Sequence, residues 1–107
     1  MHVDEVLAIL AETGIPYAYD HFAEGESPNP PFICYLTPGS DNFAADGRVY
    51  HKTAKFHIEL YTDIKNPALE ESVEEILDDH EVFYDKTEVW ISSEKLYEVM
   101  YSFQMEV

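Results

Sequence analysis

The sequence predicts an α+β fold. A single domain over residues 1–107 carries two helices on one face of a mainly antiparallel or mixed sheet of about five strands. Three stretches predict it. Between Tyr50 and Thr62 apolar side chains return at every second position (Ala54, Phe56, Ile58, Leu60), as a strand with one buried face requires. From Leu69 to His80 the period becomes helical, with Leu69, Val73, Ile76, Leu77 and His80 on one stripe. From Leu96 to Glu106 alternation returns, with Tyr97, Val99, Tyr101, Phe103 and Met105 sharing a side. The predicted order is α-β-β-β-α-β-β.

Residues Val3 to Thr13 form the first helix, with Val3, Val6, Leu7 and Leu10 on its stripe and Ile9 to one side. Asp4 and Glu5 complement its dipole, Gly14 suits the C′ position, and Ile15-Pro16 ends it. Tyr17 to Tyr19 is a short strand. Phe22 to Pro31, with Gly25, Pro28, Pro30 and Pro31, is a loop by composition. Phe32 to Leu36 is an apolar run that reads as a central strand. Thr37 to Gly47 reads as a loop, too long for a tight hairpin turn. After the long strand, Asn66 is placed to cap the second helix and Pro67 to open it, where its missing N–H costs nothing. Val82 to Ile91 reads as a strand with Phe83, Thr87, Val89 and Ile91 on one face and Tyr84, Lys86, Glu88 and Trp90 on the other. Ser92 to Lys95 turns the chain into the closing strand.

The chain has 22 acidic and 6 basic residues, a formal charge of −16, which argues against a grip on nucleic acid through phosphate contacts. Along the helix Pro67 to His80, Glu70, Glu71, Glu74, Glu75, Asp78 and Asp79 fall outside the apolar stripe. No Lys or Arg stands three or four residues away to neutralise them. An acidic surface of this kind serves solubility, lets DNA slide past without sticking, or imitates DNA. A 46% hydrophobic and 14% aromatic composition excludes a disordered chain. There is no apolar run of about 18 residues to span a membrane. No basic segment followed by an apolar one marks a secretory signal. The single Cys34 excludes an internal disulfide framework and is expected to be a small buried hydrophobe.

No catalytic, cofactor-binding or metal-ligating residue is expected. His51 and His57 would share a strand face but stand about 20 Å apart, too far to hold one ion. Asp20-His21 is an isolated pair, and His80 closes its helix. Asp41-Asn42 with Asp46-Gly47 lacks the alternating ligands and bidentate Glu of a calcium loop. No phosphate-binding glycine loop or nucleophile elbow occurs. Eight Tyr, six Phe and one Trp exceed what one buried sheet face can hide. Tyr61, Tyr84, Trp90 and the face of Tyr97 or Tyr101 are placed toward the second side of the sheet, as in a subunit of an assembly.

The run Gly14-Ile-Pro-Tyr-Ala-Tyr-Asp-His-Phe, the strand Pro31-Phe-Ile-Cys-Tyr-Leu and the segment Ser40-Asp-Asn-Phe-Ala-Ala-Asp-Gly-Arg-Val-Tyr carry a resemblance, together with Ile58-Glu-Leu-Tyr-Thr-Asp and the acidic helix. Nearly the whole chain resembles small head–tail morphogenesis proteins of tailed phages and prophages of Gram-positive bacteria, of the tail terminator (tail-to-head joining) type. The resemblance implies a non-enzymatic structural protein forming a hexameric ring that caps the tail tube and docks to the head connector. Its implied partners are other copies of itself, the major tail tube protein and a head-completion or connector protein, in the host cytoplasm during assembly and then in the virion neck. The implied subunit interface falls on the Thr37–Gly47 segment, at Ser40, Asp41, Asn42, Phe43, Asp46 and Arg48. The acids of the second helix would line a lumen that DNA passes without binding. The competing reading is an acidic DNA mimic that blocks a basic nucleic-acid-binding protein.

Overall fold

The computed structural model of the protein describes residues 3–40, 43–45, 48–51 and 53–106. Helix α1 spans Val3–Glu12. Its buried side chains are Val6, Ile9 and Leu10, while Val3 and Leu7 are exposed, so the expected stripe is turned by one position. The i, i+3, i+4 set Val6, Ile9, Leu10 also satisfies helical spacing, and docking rather than local pattern selects it. Thr13 fastens the helix end by donating its hydroxyl to the Leu10 carbonyl at 2.7 Å and accepting the Ile15 N–H at 3.1 Å. Gly14 then adopts a φ of +69°, a left-handed turn that glycine takes at no steric cost.

Strand β1 (Tyr17–Tyr19) runs parallel to β2 (Phe32–Ser40), joined by the proline-rich loop. Within the expected loop from Thr37 to Gly47, the described residues lie in strands instead. Strand β2 continues to Ser40, and β3 (Phe43–Ala45) pairs antiparallel with β4 (Arg48–His51) as a separate two-stranded ribbon. The stretch predicted as one strand from Tyr50 is thereby divided, and β5 spans Thr53–Thr62. Turn-forming residues made this stretch read as a loop, and pairing of Phe43–Ala45 with Arg48–His51 overrides that local composition.

Strand β5 pairs antiparallel with β2 on one side and β7 (Leu96–Glu106) on the other; β6 (Asp85–Ile91) forms the far edge. The sheet order is β1-β2-β5-β7-β6, mixed because β1 alone runs parallel to its neighbour. Helix α2 (Pro67–Asp79) starts as its sequence requires, with the Asn66 side chain accepting the Leu69 N–H at 3.1 Å and Pro67 in the first turn. It ends in a Schellman closure. The Glu81 N–H reaches the Asp78 carbonyl at 2.9 Å and the Val82 N–H the Leu77 carbonyl at 3.0 Å, with Glu81 left-handed at φ +58°. Val82 therefore seals the helix end and is buried, while Phe83 is 92% exposed, so the last edge strand begins later than the apolar pattern suggested.

One hydrophobic cluster joins both helices to one sheet face. Val6, Ile9, Leu10, Val73 and Leu77 meet Ile33, Phe56, Ile58, Leu60, Val99, Tyr101, Phe103 and Met105. The alternation in β5 and β7 thus works as predicted, and both helices lie on the same side. No helix among the described residues is long and apolar enough to cross a membrane.

Candidate interaction surface

The two faces of the sheet treat their acids in opposite ways. On the covered face, Glu70 of α2 points inward and is only 3% exposed. Its carboxylate accepts from Lys65 at 2.6 Å and from Lys86 of β6 at 3.0 Å. Lys86 also donates to Glu74 at 2.8 Å, the Tyr101 hydroxyl donates to Glu74 at 2.7 Å, and Lys65 bridges to Glu88. Burial pushes the Glu70 carboxyl up, but the hydrogen bonds and charges of the two lysines outweigh it and hold the group below the ordinary range. Lys86 is raised first by its hydrogen bond to Glu74, and Lys65 by its hydrogen bond to Glu70.

This arrangement corrects the expected acidic face of α2. Glu71, Glu75, Asp78 and Asp79 are exposed, but Glu70 is buried and Glu74 half-buried. The sequence showed no base at helical spacing, and none exists there. The neutralising lysines come from the segment before the helix and from a strand after it. A six-acid lumen face is therefore reduced to four exposed carboxylates. The same packing corrects the placement of Tyr101, which is fully buried on the covered face, with Tyr84 edge-on to it at 5.4 Å between ring centroids. Trp90 and Tyr97 form a pair on that same side at 4.7 Å, so of the aromatics assigned to the second face only Tyr61 lies there.

Between the helices, His80 at the end of α2 faces two carboxylates of α1, Glu12 at 2.7 Å from Nε2 and Glu5 at 3.3 Å from Nδ1. With an acceptor at each ring nitrogen, the imidazolium is the form that satisfies both contacts. The Glu12 hydrogen bond is the main influence raising the imidazole above its ordinary value, partly opposed by burial. His21 pairs with Asp20 at 3.0 Å on the surface, as its neighbour in sequence. No group of three His, Cys, Asp or Glu side chains among the described residues could hold a metal ion.

The second face of the sheet has neither helix over it. Register places Phe32 opposite Tyr61, Cys34 opposite Glu59 and Leu36 opposite His57 across β2 and β5. It places Tyr61 opposite Glu98 and Glu59 opposite Met100 across β5 and β7. Glu59 and Glu98 are thus diagonal neighbours at the middle of the face, hydrogen-bonded to each other. Two carboxyls can share a hydrogen bond only if one carries a proton. Burial, reinforced by Glu59, pushes Glu98 up to about 7, with His57 pulling the other way. The Tyr61 hydroxyl donates to Glu59 at 3.1 Å, and desolvation followed by Glu59 pushes that phenol up as well. Cys34 is buried beside them as expected, its thiol pushed up to about 11 by burial and then by Glu59, so it is no nucleophile. Nothing in the sequence announced the carboxyl pair, because it depends on strand register alone.

Across the end of this face where β2 begins and β5 finishes, loop residues after β1 and the β6–β7 turn border a groove of about 700 Å³ lined by Phe22, Phe32 and Tyr61. Phe22 meets Phe32 edge-on at 5.6 Å, and Phe32 stacks on Tyr61 at 5.1 Å. Of the predicted interface residues, Ser40 ends β2, Phe43 lies in β3 and Arg48 opens β4, at the other end of the sheet. Asp41, Asn42 and Asp46 lie outside the described residues. No protein-family model matches this chain, and no curated protein matches it.

Proposed function

We propose that this chain is a non-enzymatic structural subunit of a tailed-phage neck, a tail terminator or head–tail joining protein that works in a ring. Besides the sequence resemblance, the observation that carries the reading is the one-sided sheet. Helices cover one face, while the other presents half-buried Phe32, Leu36, Tyr61, Leu96 and Met100 with no helix over them. Apolar and aromatic area of this kind is what protein interfaces use. The β3–β4 ribbon adds a second surface for contact, drawn out from the β2 and β5 ends of the sheet. In the ring, subunits would meet through these surfaces, and the tube protein and the connector would occupy its two ends. The exposed Glu71, Glu75, Asp78 and Asp79 would repel passing DNA rather than hold it.

Electron microscopy of particles from a prophage lacking this gene tests the role. DNA-filled heads beside unattached, overlong tails are expected. Leaking heads with normal tails would move the protein to the head side of the neck. Normal infectious particles would remove the structural role.

A further inference from the structure

We propose that the aromatic groove on the open face binds an extended cationic peptide segment of a partner protein, with an arginine or lysine side chain laid over Phe22, Phe32 and Tyr61. The proposal rests on the groove alone and goes beyond the neck role. Three observations converge on a cation. Phe22, Phe32 and Tyr61 form one row in mutual contact and are only half-buried, and the aromatic surface they leave exposed attracts guanidinium and ammonium groups. The formally charged side chains bordering the groove are Asp20, Glu24 and Glu94, all carboxylates, with no lysine or arginine among the described residues that line it. His21 is already turned to Asp20. The chain's charge of −16 adds long-range attraction for a basic segment and repels nucleic acid.

Length and shape point to an extended segment. The groove runs from the loop beside β2, across the Tyr61 end of β5, to Ile91 of β6 and Leu96 of β7. Four neighbouring strands span about 14 Å, the reach of about four residues of extended chain. Ile91 and Leu96 give apolar contact for a side chain next to the cationic one, while the aromatic row holds the stem and charge of the other. Arginine suits the aromatic row better than lysine because its planar guanidinium stacks on rings and forks onto carboxylates.

The test is calorimetric titration of the full chain with the acetylated, amidated peptide Ala-Arg-Leu-Arg-Ala and its two-glutamine counterpart, at low and physiological salt. Binding by the arginine peptide, weakened by salt and at least about tenfold weaker for the glutamine peptide, is expected. The variant Glu24→Gln/Glu94→Gln should weaken binding about tenfold, and Phe22→Ala by a similar factor, with circular dichroism unchanged. Glu71→Gln/Glu75→Gln, on the outer face of α2, should leave binding unchanged. Equal affinity for both peptides, or equal losses from the groove and helix variants, would overturn the site in favour of diffuse charge attraction. Concentration-dependent self-association abolished by Phe22→Ala would overturn it in favour of a second copy.

Discussion

Glu70 and Glu98 are the same side chain withdrawn from water on opposite faces of one sheet, and their carboxyls are shifted in opposite directions. Glu70 sits under α2 with two lysines on its oxygens and stays ionised below the ordinary range. Glu98 sits on the open face with another carboxyl as its hydrogen-bond partner and holds a proton up to about 7. The contrast teaches that burial alone does not decide the charge of a carboxyl; the partner supplied by the fold does. It also separates a face whose acids are neutralised by lysines from one whose acids pair with each other and with Tyr61.

The contrast can be broken first at two adjacent residues of β5. Leu60 is fully buried on the covered face, and Leu60→Ala should cost about 3–4 kcal/mol in urea unfolding. Tyr61, one residue on and facing the other way, is half-buried, stacked on Phe32 and hydrogen-bonded to Glu59, and Tyr61→Ala should cost about 1–2 kcal/mol. Equal losses would mean that the open face is as tightly packed as the core.

Next comes Glu70→Gln, which strands Lys65 and Lys86 beside a neutral amide and should cost about 2–3 kcal/mol at pH 7. Because the folded-state carboxyl of Glu70 is lowered, its contribution is present above the unfolded value and lost as pH falls through the folded one. The variant and parent should therefore converge in stability at strongly acid pH. A constant difference down to that range would show that the loss is one of packing and not of charge.

Glu98→Gln should act in the opposite sense. A raised folded-state value means that Glu98 contributes stability below its unfolded value, lost as pH rises from about 4.5 through about 7. Solvent screening at this half-buried site keeps the effect to about 1–2 kcal/mol. The variant should be more stable than the parent at pH 8 and equal to it near pH 4, by thermal unfolding. A destabilised variant at pH 8 would show that the ionised Glu98 is favourably paired and its carboxyl is not raised.

The smallest effect is expected at His80→Gln, about 0.5–1 kcal/mol. With its folded value raised by Glu12 and Glu5, His80 contributes fully below the unfolded imidazole value and loses the contribution as pH rises through the folded one. The loss in the variant should appear at pH 5.5 and vanish by pH 9. A loss that persists at pH 9 would mark a helix-capping role for His80 independent of charge.

What the sequence determined by itself was local. The alternation in β5 and β7, the stripe of α2, the Asn66–Pro67 start and the Gly14 stop each depend on residues within a few positions, where backbone geometry fixes which side chains share a face. The one-helix-layer, α+β architecture follows from those periods. What only tertiary structure decided was every partnership across the chain. Helix docking chose Ile9 over Leu7. The fold brought Lys65 and Lys86 to Glu70, set Glu59 beside Glu98 through strand register, and paired Phe43–Ala45 with Arg48–His51 as a ribbon. These depend on pairings between distant segments, whose register and docking angle no local period encodes. A shift of one residue in its strand would have sent Lys86, Glu59 or Glu98 to the other face.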